Sequence, residues 1–210
     1  MAIDELLDEH EQSERVREWL RRNGSALTIG IALGLAAIGG WQWWKVHQQN
    51  QRIEAATKYQ AVLTAIEAKD ATSAAKVQAL PEGAYRTMAQ LALAKSQVAA
   101  GQREAAIATL RGVSTTDPAL ASVVQLRLAR LLIDAKKAEE ALKLVGSADT
   151  ISAMEVRGDA QMALGQRDQA RDTYGKALVK AEVGTLQRLL LELKLTEAGG
   201  TPPKQPETQS

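Results

Sequence analysis

Two stretches decide the fold, Gly101-Gln-Arg-Glu-Ala-Ala-Ile-Ala-Thr-Leu110 and Gly165-Gln-Arg-Asp-Gln-Ala-Arg-Asp-Thr-Tyr174. They open on the same three residues, and Lys136-Lys-Ala-Glu-Glu-Ala-Leu-Lys-Leu-Val145 between them keeps their pattern of alanine and apolar positions. Aligned on their first residues, the three bring Ala106, Ala141 and Ala170 into register. Seven residues before each start stands a small residue, Ala94, Ala129 or Gly158. Downstream, Leu110, Val145 and Tyr174 share a position, then Val113, Ala148 and Ala177, and Pro118 falls where a helix must stop. A glycine at the start of such a segment can take φ > 0 and end the preceding helix. Small residues before it let the two flanking helices lie close. The spacing predicts helical hairpins, and each hairpin leaves an apolar face that only its neighbour can cover.

The order of small residue, turn glycine, alanine, large apolar residue, alanine and proline resembles the tetratricopeptide pattern. The match is best in Gly158–Ala177; Lys136 stands where the pattern has a turn glycine, and the tryptophan of the pattern's first helix is missing. Upstream, Ile53–Lys69 and Ser73–Leu80 read as a further helix pair closed by Pro81-Glu-Gly83. Downstream, Leu186, Leu189, Leu190 and Leu193 repeat at i, i+3, i+4 and i+7, which predicts a final helix capping the stack. The last residues, Gly199-Gly-Thr-Pro-Pro-Lys-Gln-Pro-Glu-Thr-Gln-Ser210, lack apolar content and are expected to be disordered. The expected fold class is all-α: an N-terminal transmembrane helix, then a tetratricopeptide-like right-handed α-solenoid of about four helical hairpins plus a capping helix.

Between Arg22 and Lys45 there is no charged residue. Asn23–Trp44 is long enough as a helix, roughly 33 Å, to cross a hydrocarbon core. Trp41, Trp43 and Trp44 close it at one end, where indole rings favour the headgroup region. A cleaved signal peptide has a shorter apolar run and small residues at its cleavage site. Arg15, Arg17, Arg21 and Arg22 crowd the N-terminal flank while Lys45 and Arg52 are sparse beyond the tryptophans, so the N-terminal arm is expected in the cytoplasm. The expected divisions are a cytoplasmic charged arm over 1–22, the transmembrane helix over 23–44, a periplasmic repeat domain over 45–197 and a tail over 198–210. Within the span, Gly30 and Gly34, and Ala32, Ala36 and Gly40, stand at i, i+4 and mark a candidate helix–helix contact.

Chemistry is excluded by what is missing. There is no cysteine, and from residue 51 onward there is no histidine. That removes the common general base, thiol nucleophiles and most transition-metal sites from the repeats, and no phosphate-binding loop is present. The chain is expected to be no enzyme and to need no cofactor or metal. A net charge of +1 gives no reason to expect nucleic acid. A stack of hairpins binds through the concave face lined by its first helices. By repeat position that face comprises Met88, Leu91, Lys95 and Val98, then Val123, Leu126, Arg130 and Ile133, then Glu155, Asp159 and Met162. With no asparagine after Asn50, a groove for apolar or helical segments is expected.

Glu11-Gln12, Trp19, Asn23-Gly24, a single span, the Gly40-Trp41 exit and the leucine-rich end Leu189-Leu-Leu-Glu-Leu-Lys-Leu195 together resemble a bacterial family of inner-membrane tetratricopeptide-like proteins, the ancillary subunit of the Sec translocon. The resemblance covers essentially the full length; the proline-rich tail is not part of it. It implies a single-pass protein with its N-terminus inside and its repeats in the periplasm. Its partners would be the Sec translocon, a membrane-anchored periplasmic chaperone of prolyl-isomerase type and exported clients. It would help pass exported proteins to periplasmic chaperones. Two alternatives remain at this point: a structural scaffold of an envelope complex, and a regulator of a stress response acting through the cytoplasmic arm.

Overall fold

A computed structural model describes residues 2–202, with their side chains from Ser13 onward. The described residues form helices and no strand, in the order α1 (Ala2–Glu67), α2 (Ser73–Gln78), α3 (Ala84–Ala99), α4 (Arg103–Arg111), α5 (Pro118–Asp134), α6 (Ala138–Val145), α7 (Ile151–Ala163), α8 (Arg167–Lys180) and α9 (Leu186–Glu197). The chain divides into two compact units at Glu54/Ala55.

The first unit is helix throughout its described residues. The arm, the apolar segment and the start of the first hairpin, read separately from the sequence, fall on one helix. No proline precedes Pro81, and the glycines that would weaken a soluble helix lie in the apolar segment, where they are well tolerated. Among the described residues this is the one helix long and apolar enough to cross a membrane, with a window of mean hydropathy 1.5 of which nothing is buried. Its polar side chains turn back on the backbone: Asn23 Nδ2 donates to the Trp19 carbonyl and Thr28 Oγ1 to that of Gly24. That leaves fewer unsatisfied groups for an apolar surrounding.

The second unit is four hairpins and a last helix. The end of α1 packs on α2 and α3 through Val62, Ile66, Val77, Leu80, Ala89 and Leu93. The hairpins α3/α4 and α5/α6 share a core with the face of α7 that carries Val156 and Ala160. The opposite side of α7 joins α8 and α9 around Met154, Tyr174, Leu178, Leu191 and Leu195. Each hairpin therefore buries its apolar face on the next, as the repeat pattern requires. The expected disorder of the tail lies outside the described residues from 203 onward; Ala198, inside them, is buried at 3% exposure in the α8/α9 core.

One turn is used five times. Lys69, Gly101, Lys136, Gly165 and Gly199 all have positive φ, between +53° and +84°. At each, the turn residue's N–H bonds the carbonyl three back and the next N–H bonds the carbonyl five back from itself, as at Gly101→Val98 and Gln102→Gln97. This pair of bonds satisfies carbonyls that the helix end leaves open. Lysine at 69 and 136 takes the left-handed conformation that glycine takes at 101 and 165, at a cost of roughly 1 kcal/mol. Two hairpins also carry the same polar clip: Thr109 Oγ1 donates to Gln97 Oε1 and Thr173 Oγ1 to Gln161 Oε1, each at 2.8 Å. The α5/α6 hairpin has the apolar pair Leu132 and Leu144 at these two positions.

The small-residue position explains its own chemistry at Gly158. A Cβ there would sit 2.3 Å from the Tyr174 ring, which is buried and cannot retreat. Ala94 and Ala129 occupy the same position in hairpins whose register partners are the smaller Leu110 and Val145. Gly158→Ala should therefore lower stability by about 1–3 kcal/mol, as overpacking does, read as an earlier urea midpoint for the full chain in detergent. Thr87 is fully buried in α3 and its Oγ1 has no partner. Thr87→Val should shift the same midpoint the other way, by about 1 kcal/mol.

Candidate functional site

The first helices of neighbouring hairpins, α3 and α5, border a cavity of about 350 Å³. Its floor is apolar: Leu91 and Ala94 from α3, Leu110 from α4 and Leu131 from α5. Its banks carry Lys95 and Val98 on one side and Arg127 and Arg130 on the other. No carboxylate lines it. Lys95, Arg127 and Arg130 are exposed and make no ion pair or side-chain hydrogen bond among the described residues. Val98, at 44% exposure, leaves an apolar surface open between the cations.

This cavity gathers four of the positions predicted from sequence: Leu91, Lys95, Val98 and Arg130. Leu91 is buried in its floor, and Val123 lies exposed further along α5. Met88, Leu126 and Ile133 are half-buried, and Leu126 and Ile133 pack on the central core. Arg127 and Leu131 were missed. The signal was available, since Arg127, Arg130 and Leu131 stand at i, i+3 and i+4 and share one face of a helix.

The three predicted positions on α7 are engaged within the chain. Lys194 of α9 reaches Glu155 Oε1 at 2.8 Å and Asp159 Oδ2 at 2.7 Å. Asp159 Oδ1 also accepts from the Tyr174 hydroxyl at 2.7 Å. Burial and this carboxylate neighbour raise the tyrosine well above its ordinary pKa, so it stays protonated and donating. Met162 packs against the α8/α9 core. Two cations and two anions were expected on the concave face; both anions are held by α9, and the cations are left without partners. Lys194→Met should destabilise the chain by about 2 kcal/mol, because it leaves the buried Glu155 and half-buried Asp159 without a counter-charge, and Asp159→Asn in that background should recover part of the loss in urea titrations.

α9 is tied to α8 as well. Arg188 Nη1 donates to the carbonyls of Leu178 and Ala181, which end α8, while its Nε pairs with Glu192 at 3.0 Å. A larger cavity, about 600 Å³, lies between α4, α5 and α6 over Leu110, Val124 and Leu128. Its charged rim is different in kind, because Arg111 and Glu140 pair with each other across it.

In the first unit the small residues Gly30, Gly34, Ala32, Ala36 and Gly40 are exposed, and a Cβ at Gly30, Gly34 or Gly40 would meet nothing within 4 Å. At the exit of the apolar segment Trp41 and Trp44 lie 5.6 Å apart, and Trp43 stacks on His47, whose ring bonds Gln51. Among the described residues no group of three or more His, Cys, Asp or Glu could hold a metal ion.

Comparison with known proteins agrees on the class of repeat. Residues 17–200 match the tetratricopeptide repeat-like domain family. A protein of Escherichia coli named ancillary SecYEG translocon subunit is 34% identical over 90% of this chain and 95% of its own length. Proteins of the same name from Haemophilus influenzae and Aggregatibacter actinomycetemcomitans are each 26% identical over 90% of this chain and 97% of their own.

Proposed function

The chain belongs to the tetratricopeptide repeat-like family of ancillary SecYEG translocon subunits, and from that premise we propose that it is an inner-membrane-tethered, non-enzymatic binding module that works beside the Sec translocon. The observation that carries the binding role is the α3/α5 cavity, an apolar floor between banks of unpaired cations on the first helices of two neighbouring hairpins. Such a surface holds a segment of another protein by burying its apolar side chains. The name shared by its relatives supports the Sec translocon as the partner that brings such segments within reach.

The arginine-rich flank and the tryptophan exit support an orientation with the arm of residues 1–22 in the cytoplasm, the span over 23–44 and the repeats over 45–197 in the periplasm. In that orientation the groove meets chains as they emerge, and its role is to pass them to periplasmic chaperones, among them a membrane-anchored chaperone of prolyl-isomerase type. The exposed glycines and alanines of the span supply a surface on which another membrane helix can approach closely.

Two experiments test this. Protease added to spheroplasts should remove the region after Trp44 and leave the first 22 residues; a protected repeat domain would reverse the topology. A photo-crosslinking residue at Val98, in the groove, should capture translocating chains in intact membranes, whereas one at Val179, 88% exposed on α8, should not. Capture of folded envelope proteins alone would make the chain a scaffold instead.

A further inference from the structure

We infer that the α3/α5 groove selects amphipathic helical segments whose apolar stripe is flanked by side-chain carboxylates. The inference rests on the proposed binding role and adds the class of partner to it. The groove has one apolar floor and two basic banks, Lys95 on α3 and Arg127 with Arg130 on α5. An apolar ridge seated on Leu91, Leu110 and Leu131 brings the residues on either side of it over the cations. A helix offers that arrangement, with apolar residues at i and i+4 and charged ones beside them.

Charge accounting along the repeats favours carboxylates over neutral or basic flanks. Cations line four other cavities too, but each of those also carries a carboxylate: Glu140 beside Arg111 and Lys143, Glu104 and Asp134 beside Arg103 and Lys136, Asp70 beside Lys69, and Glu192 beside Arg188. On the inner face the two carboxylates of α7 that could have offset the groove are bound by Lys194. Three cations around an apolar cavity are thus left with only water as partner. Seating a neutral helix would strip some of that water with no charge to replace it, and seating a basic helix would add repulsion. Carboxylates replace the lost water with charge-assisted hydrogen bonds, and both arginines can take them bidentately.

The test uses the full-length chain in phosphatidylcholine nanodiscs, with empty discs as the blank. The probes are three fluorescent helical peptides, acetylated and amidated, identical in their leucines and flanked by Glu, Gln or Lys. The Glu peptide should bind about tenfold more tightly than the Gln peptide, and the Lys peptide least. The gap should close as salt is raised. Arg127→Glu with Arg130→Glu should abolish the preference for Glu and admit the Lys peptide; the neutral pair Arg127→Gln with Arg130→Gln, which leaves Lys95, should narrow the gap between the Glu and Gln peptides. These side chains are exposed, so the fold is expected to survive, and circular dichroism of each variant checks it. Equal binding of the Glu and Gln peptides would overturn the carboxylate selectivity while leaving the groove as a binding site. A preference unchanged in both double variants would place the binding elsewhere and overturn the inference. Binding of none of the three would overturn the groove itself as a site for helical segments, and the inference with it. A Glu peptide that binds only with a free C-terminus would assign the cations to a terminal carboxylate and overturn the role of side-chain carboxylates.

Discussion

A two-helix hairpin of this size cannot bury its own apolar face, and the rest of the architecture follows from that shortage. The alanines that let helices meet, the large residues opposite them and the tight reversals between helices all serve to bring the next hairpin into contact. Where the large residue is a tyrosine, the small one has lost even its methyl group, as Gly158 and Tyr174 show. The tyrosine then brings a polar consequence, because a hydroxyl at the end of a buried ring needs an acceptor. Asp159 supplies it, and with it a negative charge that α9 has to answer. Packing and electrostatics at this end of the domain are therefore one problem with one solution, Lys194.

That solution shapes the inner face. Had α7 kept its carboxylates exposed, the concave surface would carry mixed charge and little sign preference. With Glu155 and Asp159 taken, the surface divides into an apolar, cation-banked groove over α3 and α5 and a closed, internally paired region under α9. Half of the groove's lining, Lys95, Val98, Arg127 and Arg130, is exposed, and the other half, Leu91, Ala94, Leu110 and Leu131, belongs to or packs on the central core. The exposed side chains cost the fold little, and their placement around Leu91 and Leu131 gives the domain a surface with a preference.

The hairpins were legible because their signals are local and repeated. Two near-identical turn sequences set a register, and the register located the small residues and the large apolar partners. The stripe read as capping the stack, Leu186, Leu189, Leu190 and Leu193, is exposed instead, and α9 packs through Leu191 and Leu195; in a helix with leucine on several faces, periodicity does not say which face meets the neighbour. The turns at Lys69 and Lys136 were harder to read, since a lysine carries no mark of a left-handed conformation; Lys136 was found only through alignment with glycines. The Gln–Thr clips escaped notice because each pairs residues twelve apart on two helices, a distance that no helical periodicity reports. The inner-face list mixed readable and unreadable positions for a similar reason. Repeat position says which way a side chain leaves its helix, so Lys95, Val98 and Arg130 fell in the groove. It does not say what arrives from a helix 35 to 39 residues away, and that is what decided the fate of Glu155 and Asp159.

The fifth turn, at Gly199 and Gly200, has the same paired hydrogen bonds as the four that reverse the chain between helices, yet no second helix follows it among the described residues. The last helix therefore ends on a joint rather than on a stop. Along the helix that leads to it, Leu186, Leu189, Leu190 and Leu193 remain exposed. In evolutionary terms the array is open at this end. A duplication that inserted one more hairpin here would find the reversal already formed and apolar surface already waiting, so the number of repeats can change without redesign of the existing ones.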